Sequence, residues 1–191
     1  MARTKPSPSI SGDPPVVSDA ISLLRRDHGI VELLFAEFER TDVAQSDPIA
    51  RRICKMLTVH ARIEEELFYP AARLALRQGE SIGSESIDDA LAEHTQAKLL
   101  VAQIEAMTSD HSRFQPAMRE LANAVKQHVA QEEQEIFARL ANTRLDLEAL
   151  GIALAGRKFT LMEVMGLHYD DELPARPEIQ DSAVRSPTHL R

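Results

Sequence analysis

Tryptophan is absent from this 191-residue chain, tyrosine occurs twice and cysteine once. The lone Cys54 has no partner for an internal disulfide, which fits a reducing compartment. The opening MARTKPSPSISGDPP carries basic residues but no apolar core of the kind a secretory signal needs. The reading is therefore a cytoplasmic protein. No apolar run approaches the length that spans a bilayer, so no membrane partner is expected. Positive charge is scarce as well: 22 Lys and Arg against 30 Asp and Glu leave a formal charge of −8. Without a basic stripe or stacking aromatics, a nucleic-acid partner is disfavoured.

Proline is rare where the chain is apolar. Seven of the ten prolines fall in the first 15 or last 18 residues. Residues 1–17 and 170–191 are expected to be flexible tails around one domain at 18–169. Within that domain, apolar residues recur at helical spacing. The first helix is predicted from an N-cap at Ser18 through DAISLLRRDHGIVELLFAEFER, with Leu24, His28, Val31, Phe35 and Phe38 on one stripe. The second opens at Asp47-Pro48 and turns Ile53, Leu57, His60, Glu64, Leu67 and Phe68 inward, with a kink expected at Pro70. After a loop at RQGESIGSES, the third runs from about Ser86 to Met107, with His94 on its inner face. The fourth spans roughly Arg113 to Ala141, with Ser112 and Gln115 placed as a capping box and Leu121, Val125, His128, Glu132 and Ile136 sharing a face. DLEALGIALAGRKFTLMEVMG forms a short fifth helix whose continuity Gly151 and Gly156 put in question. The fold class is all-α, an antiparallel up-down four-helix bundle with that extra C-terminal helix.

Four of the seven histidines lie one per bundle helix. His28 and His60 are each 16 residues from Ala44, inside the first turn, and His94 and His128 are each 17 residues from His111, inside the last. Residues equally far from a hairpin turn sit level, so each hairpin should hold its histidines at one height. Each hairpin also repeats His followed about 33 residues later by His-x-x-x-Glu. Residues four apart share a helix face, so His60 with Glu64, and His128 with Glu132, can ligate together. Inward carboxylates need a cation, because burying them uncompensated costs several kcal/mol each. Imidazole with carboxylate and open positions suits redox iron. One His/Glu pair alone would most simply be a surface pair; four level histidines with two such glutamates point to a metal site.

The set Asp27-His28, His60-x-x-x-Glu64-Glu65, Glu93-His94 and His128-x-x-x-Glu132-Glu133 resembles the hemerythrin-like, HHE cation-binding family, as do ELFYP and EIF beyond the glutamates. The resemblance spans about Ser18 to Leu140. It implies a non-haem centre of two iron ions, oxo- or hydroxo-bridged, inside the bundle. His28 and His60 would serve one iron, His94 and His128 the other, with Glu64 and Glu132 bridging. It also implies binding of, or reaction with, dioxygen, nitric oxide or peroxide, with catalase-like or nitric-oxide-reducing activity and iron storage, donation or centre repair as alternatives. Two departures bear on this. Oxygen-carrying members have a further histidine where Ala90 stands, and end helix four with His-x-x-x-x-Asp. Repair-type members carry a fifth histidine between the first two, and none lies between His28 and His60. The missing position is left to water and small ligands, or to Glu93, Glu65, Glu133 or Tyr69, although on an ideal helix Tyr69 points away from the Glu64 face unless the chain kinks early at Pro70. Asp27 reads as either an acceptor behind a ligand or a surface charge, Cys54 as a small buried hydrophobe, and His111, His168 and His189 as solvated or capping.

Overall fold

The computed structural model describes residues 19–77 and 83–168; the two tails expected at 1–17 and 170–191 lie outside them. Five helices follow one another, and no strand occurs among the described residues. Helix α1 is Ala20–Arg40. Helix α2 covers residues 47–77 as Asp47–Ile63, a wide π turn at Glu64–Phe68, and Tyr69–Arg77. Helix α3 is Gly83–Glu105. Helix α4 covers residues 114–140 as Phe114–Gln131, a second π turn at Glu132–Phe137, and Ala138–Leu140. Helix α5 is Leu147–Met165.

The helix ends show where local chemistry overrode the sequence reading. Asp19, not Ser18, caps α1: its Oδ1 accepts the Ser22 N–H at 2.9 Å. Ser46 rather than Asp47 is the cap position of α2, with Pro48 in its first turn. The capping box at Ser112 and Gln115 does not form. Arg113 is the cap position of α4, no side chain caps it, and Gln115 Nε2 instead donates to Ser46 Oγ at 3.4 Å across the bundle. The preceding turn does the work, with Phe114 N–H on His111 O at 2.9 Å and Arg113 N–H on His111 Nδ1 at 3.1 Å. Arg51 ties the far end of α3 down by donating to the carbonyls of Ile104 and Met107.

Helix α5 is neither short nor broken. Asp146 caps its start, and Gly166, at φ 64°, ends it in the left-handed conformation that glycine adopts most easily. Gly151 is required: a Cβ there would stand 2.7 Å from the Asp19 carbonyl carbon, so only glycine lets α5 lie against the start of α1. Helix α5 packs on α1 and α2, outside the four-helix bundle.

The core runs the length of the bundle. Leu34, Ile53 and Leu121 fill it below the histidines, and Phe38 meets Phe114 with ring centres 6.2 Å apart near the turn end. Phe68, Tyr69 and Phe137 close the other end and are all buried. Cys54 is buried too, and burial, with Glu105 nearby, pushes its thiol up to about 12, so it acts as a small hydrophobe. Among the described residues, no helix is long and apolar enough to cross a membrane.

Candidate metal centre

The hairpin arithmetic places the histidines correctly. His28 and His60 have ring centres 4.9 Å apart, and His94 and His128 have theirs 4.7 Å apart. All four are buried, as are Glu64 and Glu132. Two sets of ligand-type atoms converge within 4.8 Å of one another: His28, His60 and Glu64, and Glu64, His94 and His128. Glu64 belongs to both. Its Oε1 lies 3.2 Å from His60 Nε2 and its Oε2 3.3 Å from His94 Nε2. Glu132 enters beside the first set, with Oε2 3.3 Å from His28 Nε2.

These inward atoms are poorly satisfied by one another. Both oxygens of Glu64, both of Glu132, and the Nε2 atoms of His28 and His60 are buried without a hydrogen bond among the described residues. Orphans of this kind are rare inside proteins, because each forfeits its hydration. Their titration shows the same deficit of positive charge. Burial pushes Glu132 up to about 7, and the nearby charge of Glu64 adds to the shift. Burial opposes ionisation of Glu64 too, but His60 and His94 outweigh it and hold that carboxyl well below the usual range. Burial alone would pull His60 down; Glu64 and Asp27 outweigh it and carry the ring to about 10. Two buried carboxylates at one spot thus draw protons in unless another cation balances them. The donor set of imidazole nitrogens and carboxylate oxygens fits a metal cation.

Three of the histidines are also gripped from behind. His28 Nδ1 donates to Glu133 Oε1, His94 Nδ1 to Glu65 Oε1, and His128 Nδ1 to Glu93 Oε2, all at 2.9 Å. An ionised carboxylate can only accept, so Nδ1 carries a proton and Nε2 is the nitrogen that faces inward. His60 Nδ1 faces Asp27 Oδ2 at 3.6 Å. The pattern has an internal two-fold symmetry. The acid before each hairpin's first histidine backs that hairpin's second one, and the acid after each inward glutamate backs a histidine of the other hairpin. The sequence already displayed this repeat in Asp27-His28 and Glu93-His94, and in Glu64-Glu65 and Glu132-Glu133.

Both π turns begin at the inward glutamates, and they change which residues face the site. In the first, the Tyr69 N–H reaches back five residues to the Glu64 carbonyl. One extra residue is folded into the turn, so the fifth residue rather than the fourth returns beneath the glutamate. Tyr69 therefore points inward, contrary to the ideal-helix expectation. Its ring packs on His94 with centres 5.5 Å apart, and its hydroxyl lies 3.4 Å from His94 Nε2. Burial first, and then Glu64 and Glu132, hold the phenol well above its ordinary value, so it stays a proton donor. The kink expected at Pro70 is taken up by this turn, and the helix continues through it. The matching fifth residue in α4 is Phe137, stacked on His28 at 5.9 Å. One half of the site carries a hydroxyl where the other carries a bare ring.

A cavity of about 50 Å³ adjoins the histidines, walled mainly by Val31, Leu57, Ala61, Ala97, Val101 and Val125. It is small and apolar, suited to molecules of a few atoms. An open groove of about 830 Å³ between α1 and α4 shares His28, Val125 and Val129 with it.

Residues 19–140 match the model of the Hemerythrin HHE cation binding domain. The chain belongs to that family. Its resemblance and its all-α bundle thereby stand, and cation binding comes with them. A crystal structure of a hemerythrin HHE cation binding domain-containing protein from Mycobacterium kansasii superimposes with a TM-score of 0.65 at 20% identity, covering 76% of this chain and 88% of that one. At that identity the likeness is one of fold. A DNA nickase from Nostoc sp. is 35% identical over 121 residues, which are 63% of this chain and 33% of that protein. The match thus spans about a third of the length of that relative.

Sequence reasoning missed one buried group of this HHE protein altogether. Lys158 of α5 reaches Asp27, and it lies beyond the family match. The only signal was the pair Arg157-Lys158 inside a mainly apolar stretch, LGIALAGRKFTLM.

Proposed function

We propose that this HHE protein holds two iron ions and uses them to bind, or react with, dioxygen, nitric oxide or peroxide. The observation that carries the reading is the position of Glu64. One buried carboxylate turns one oxygen to the His28/His60 group and the other to the His94/His128 group, as a bridge between two ions requires. In this reading His28, His60, Glu64, His94, His128 and Glu132 are the ligands. Iron bound there supplies one-electron redox chemistry and open positions for a small molecule.

The chain's own residues would do the rest. Glu133, Glu65 and Glu93 fix three of the rings, and Asp27 stands behind the fourth. Three of the groups considered for the position vacated at Ala90, namely Glu93, Glu65 and Glu133, are engaged behind the histidines, so Tyr69 is the one whose polar atom reaches inside. Its hydroxyl is placed to donate to a small molecule bound on the His94 side. The apolar cavity admits that molecule while limiting water.

Rapid mixing tests this reading. Iron-loaded, reduced protein should change its visible absorption with dioxygen, nitric oxide or peroxide, saturating at one small molecule per two irons. Sustained oxygen release from peroxide would mark a catalase-like enzyme. Iron-loaded protein with no spectral response to any of the three would contradict the reading. The nickase's action on DNA is not carried over, because only a third of that protein is matched and this chain's formal charge is −8.

A further inference from the structure

Helix α5 lies beyond the family match, which ends at residue 140, yet it inserts a charge into the bundle. Lys158 is 4% exposed, and its Nζ donates to Asp27 Oδ1 at 2.6 Å. The other oxygen of Asp27 faces His60 Nδ1 at 3.6 Å. The lysine thus takes one oxygen and leaves the second aimed at the histidine.

Asp27 differs from the other carboxylates that stand behind a ring. The side chains of Glu65, Glu93 and Glu133 are 25%, 32% and 32% exposed, so water can share their charge. That of Asp27 is 2% exposed. Buried so deeply, its carboxylate is oriented by protein contacts rather than by water, and Lys158 Nζ fixes Oδ1 at 2.6 Å. Lys98 on Glu65 and Arg25 on Glu133 are 49% and 54% exposed, and solvent screens them. Among the described residues, Lys158 is the buried lysine or arginine beside such a carboxylate.

We infer that Lys158 is a positioning residue for the His28/His60 half of the centre, so that α5 is a working part of the metal site rather than an appendage. This inference rests on the two-ion reading above. Lys158 holds the Asp27 carboxylate turned toward His60, and His60 in turn presents Nε2 inward. Removing the lysine should therefore weaken one metal position and spare the other.

The test uses the full chain loaded with ferrous iron, comparing wild type with Lys158→Arg, Lys158→Met and the double variant Asp27→Asn/Lys158→Met. The double variant leaves no unpaired buried charge and guards against misfolding. Chelator competition should show one of the two irons released 10- to 100-fold more readily in Lys158→Met and in the double variant, the range typical when a group behind a ligand is lost. Lys158→Arg should restore wild-type retention. Mössbauer spectra should show one iron environment altered and the other unchanged. Equal weakening of both irons, or of neither, would overturn the inference. Wild-type protein that takes up no iron would overturn the two-ion reading itself, before any variant is compared.

Discussion

At the scale of single residues, the inward His/Glu set was legible because polar groups repeat at hairpin-level positions, a pattern packing alone does not produce. His28 and His60, and His94 and His128, meet as their distances from the turns require. Tyr69 was legible only as one of four candidates, since an inserted residue turns the helix by about 100° and Pro70 in HARIEEELFYP marks a kink but not where it falls. Lys158 was hidden for a different reason: lysines on helices ordinarily run their stems over apolar surface and leave the charge in water. Tyr69→Phe should keep both irons but release a bound small ligand roughly tenfold faster, the worth of one hydrogen bond of about 1.4 kcal/mol. Stopped-flow dissociation rates check it, and an unchanged rate would remove Tyr69 from the site's chemistry. The histidines also set a pH response. His60 rises from an ordinary 6.5 to about 10, with burial overcome by Glu64 and Asp27, and His94 shifts the same way against its burial through Glu64 and Glu65. The stability such protons contribute is full below pH 6.5 and is lost as the pH climbs toward 10. Metal-free protein should therefore melt at a lower temperature at pH 9 than at pH 7. Iron-loaded protein, with ions in place of those protons, should show a smaller decline. Equal slopes with and without iron would contradict this.

At the scale of elements, the apolar stripes of all four bundle helices were legible, because burial tracks the 3.6-residue period closely. Leu24, Val31, Phe35 and Phe38 on α1, and Leu121 and Ile136 on α4, are buried as their spacing requires. Helix ends were less legible, since several residues could cap and tertiary contacts decided among them. Gln115 left its capping position for Ser46 on another helix. The fifth helix looked doubtful because of two glycines that turn out to differ. Gly151 meets the backbone of Asp19 and Ala20, whereas Gly156 has open space around it. Gly151→Ala should cost about 1–3 kcal/mol by forcing α5 off α1. Gly156→Ala should gain about 0.5–1 kcal/mol from helix propensity alone. Denaturant unfolding reads both, and the same sign for the two would mean that α5 does not dock as described.

At the scale of the whole molecule, the fold is a four-helix frame that holds carboxylates and imidazoles against their preference for water. The Phe38–Phe114 end is conventional core, while the middle carries orphaned oxygens and nitrogens. Such a frame is stable by itself only at the expense of extra protons, and a bound cation relieves that strain in the charge balance. The two-fold repeat of acid, histidine, histidine and glutamate gives two half-sites, and the departures from it, Tyr69 opposite Phe137 and Lys158 behind Asp27, make the halves unequal. The central claim is that Glu64 joins these halves into one two-metal centre. Elemental analysis of protein purified from iron-supplied cells tests it most directly, with His60→Ala, His128→Ala and Glu64→Ala compared with the wild type. The account predicts two irons per chain in the wild type, about one in each histidine variant, and less than one in Glu64→Ala. Wild-type protein that carries no iron, or a Glu64→Ala variant that keeps both ions, would contradict it.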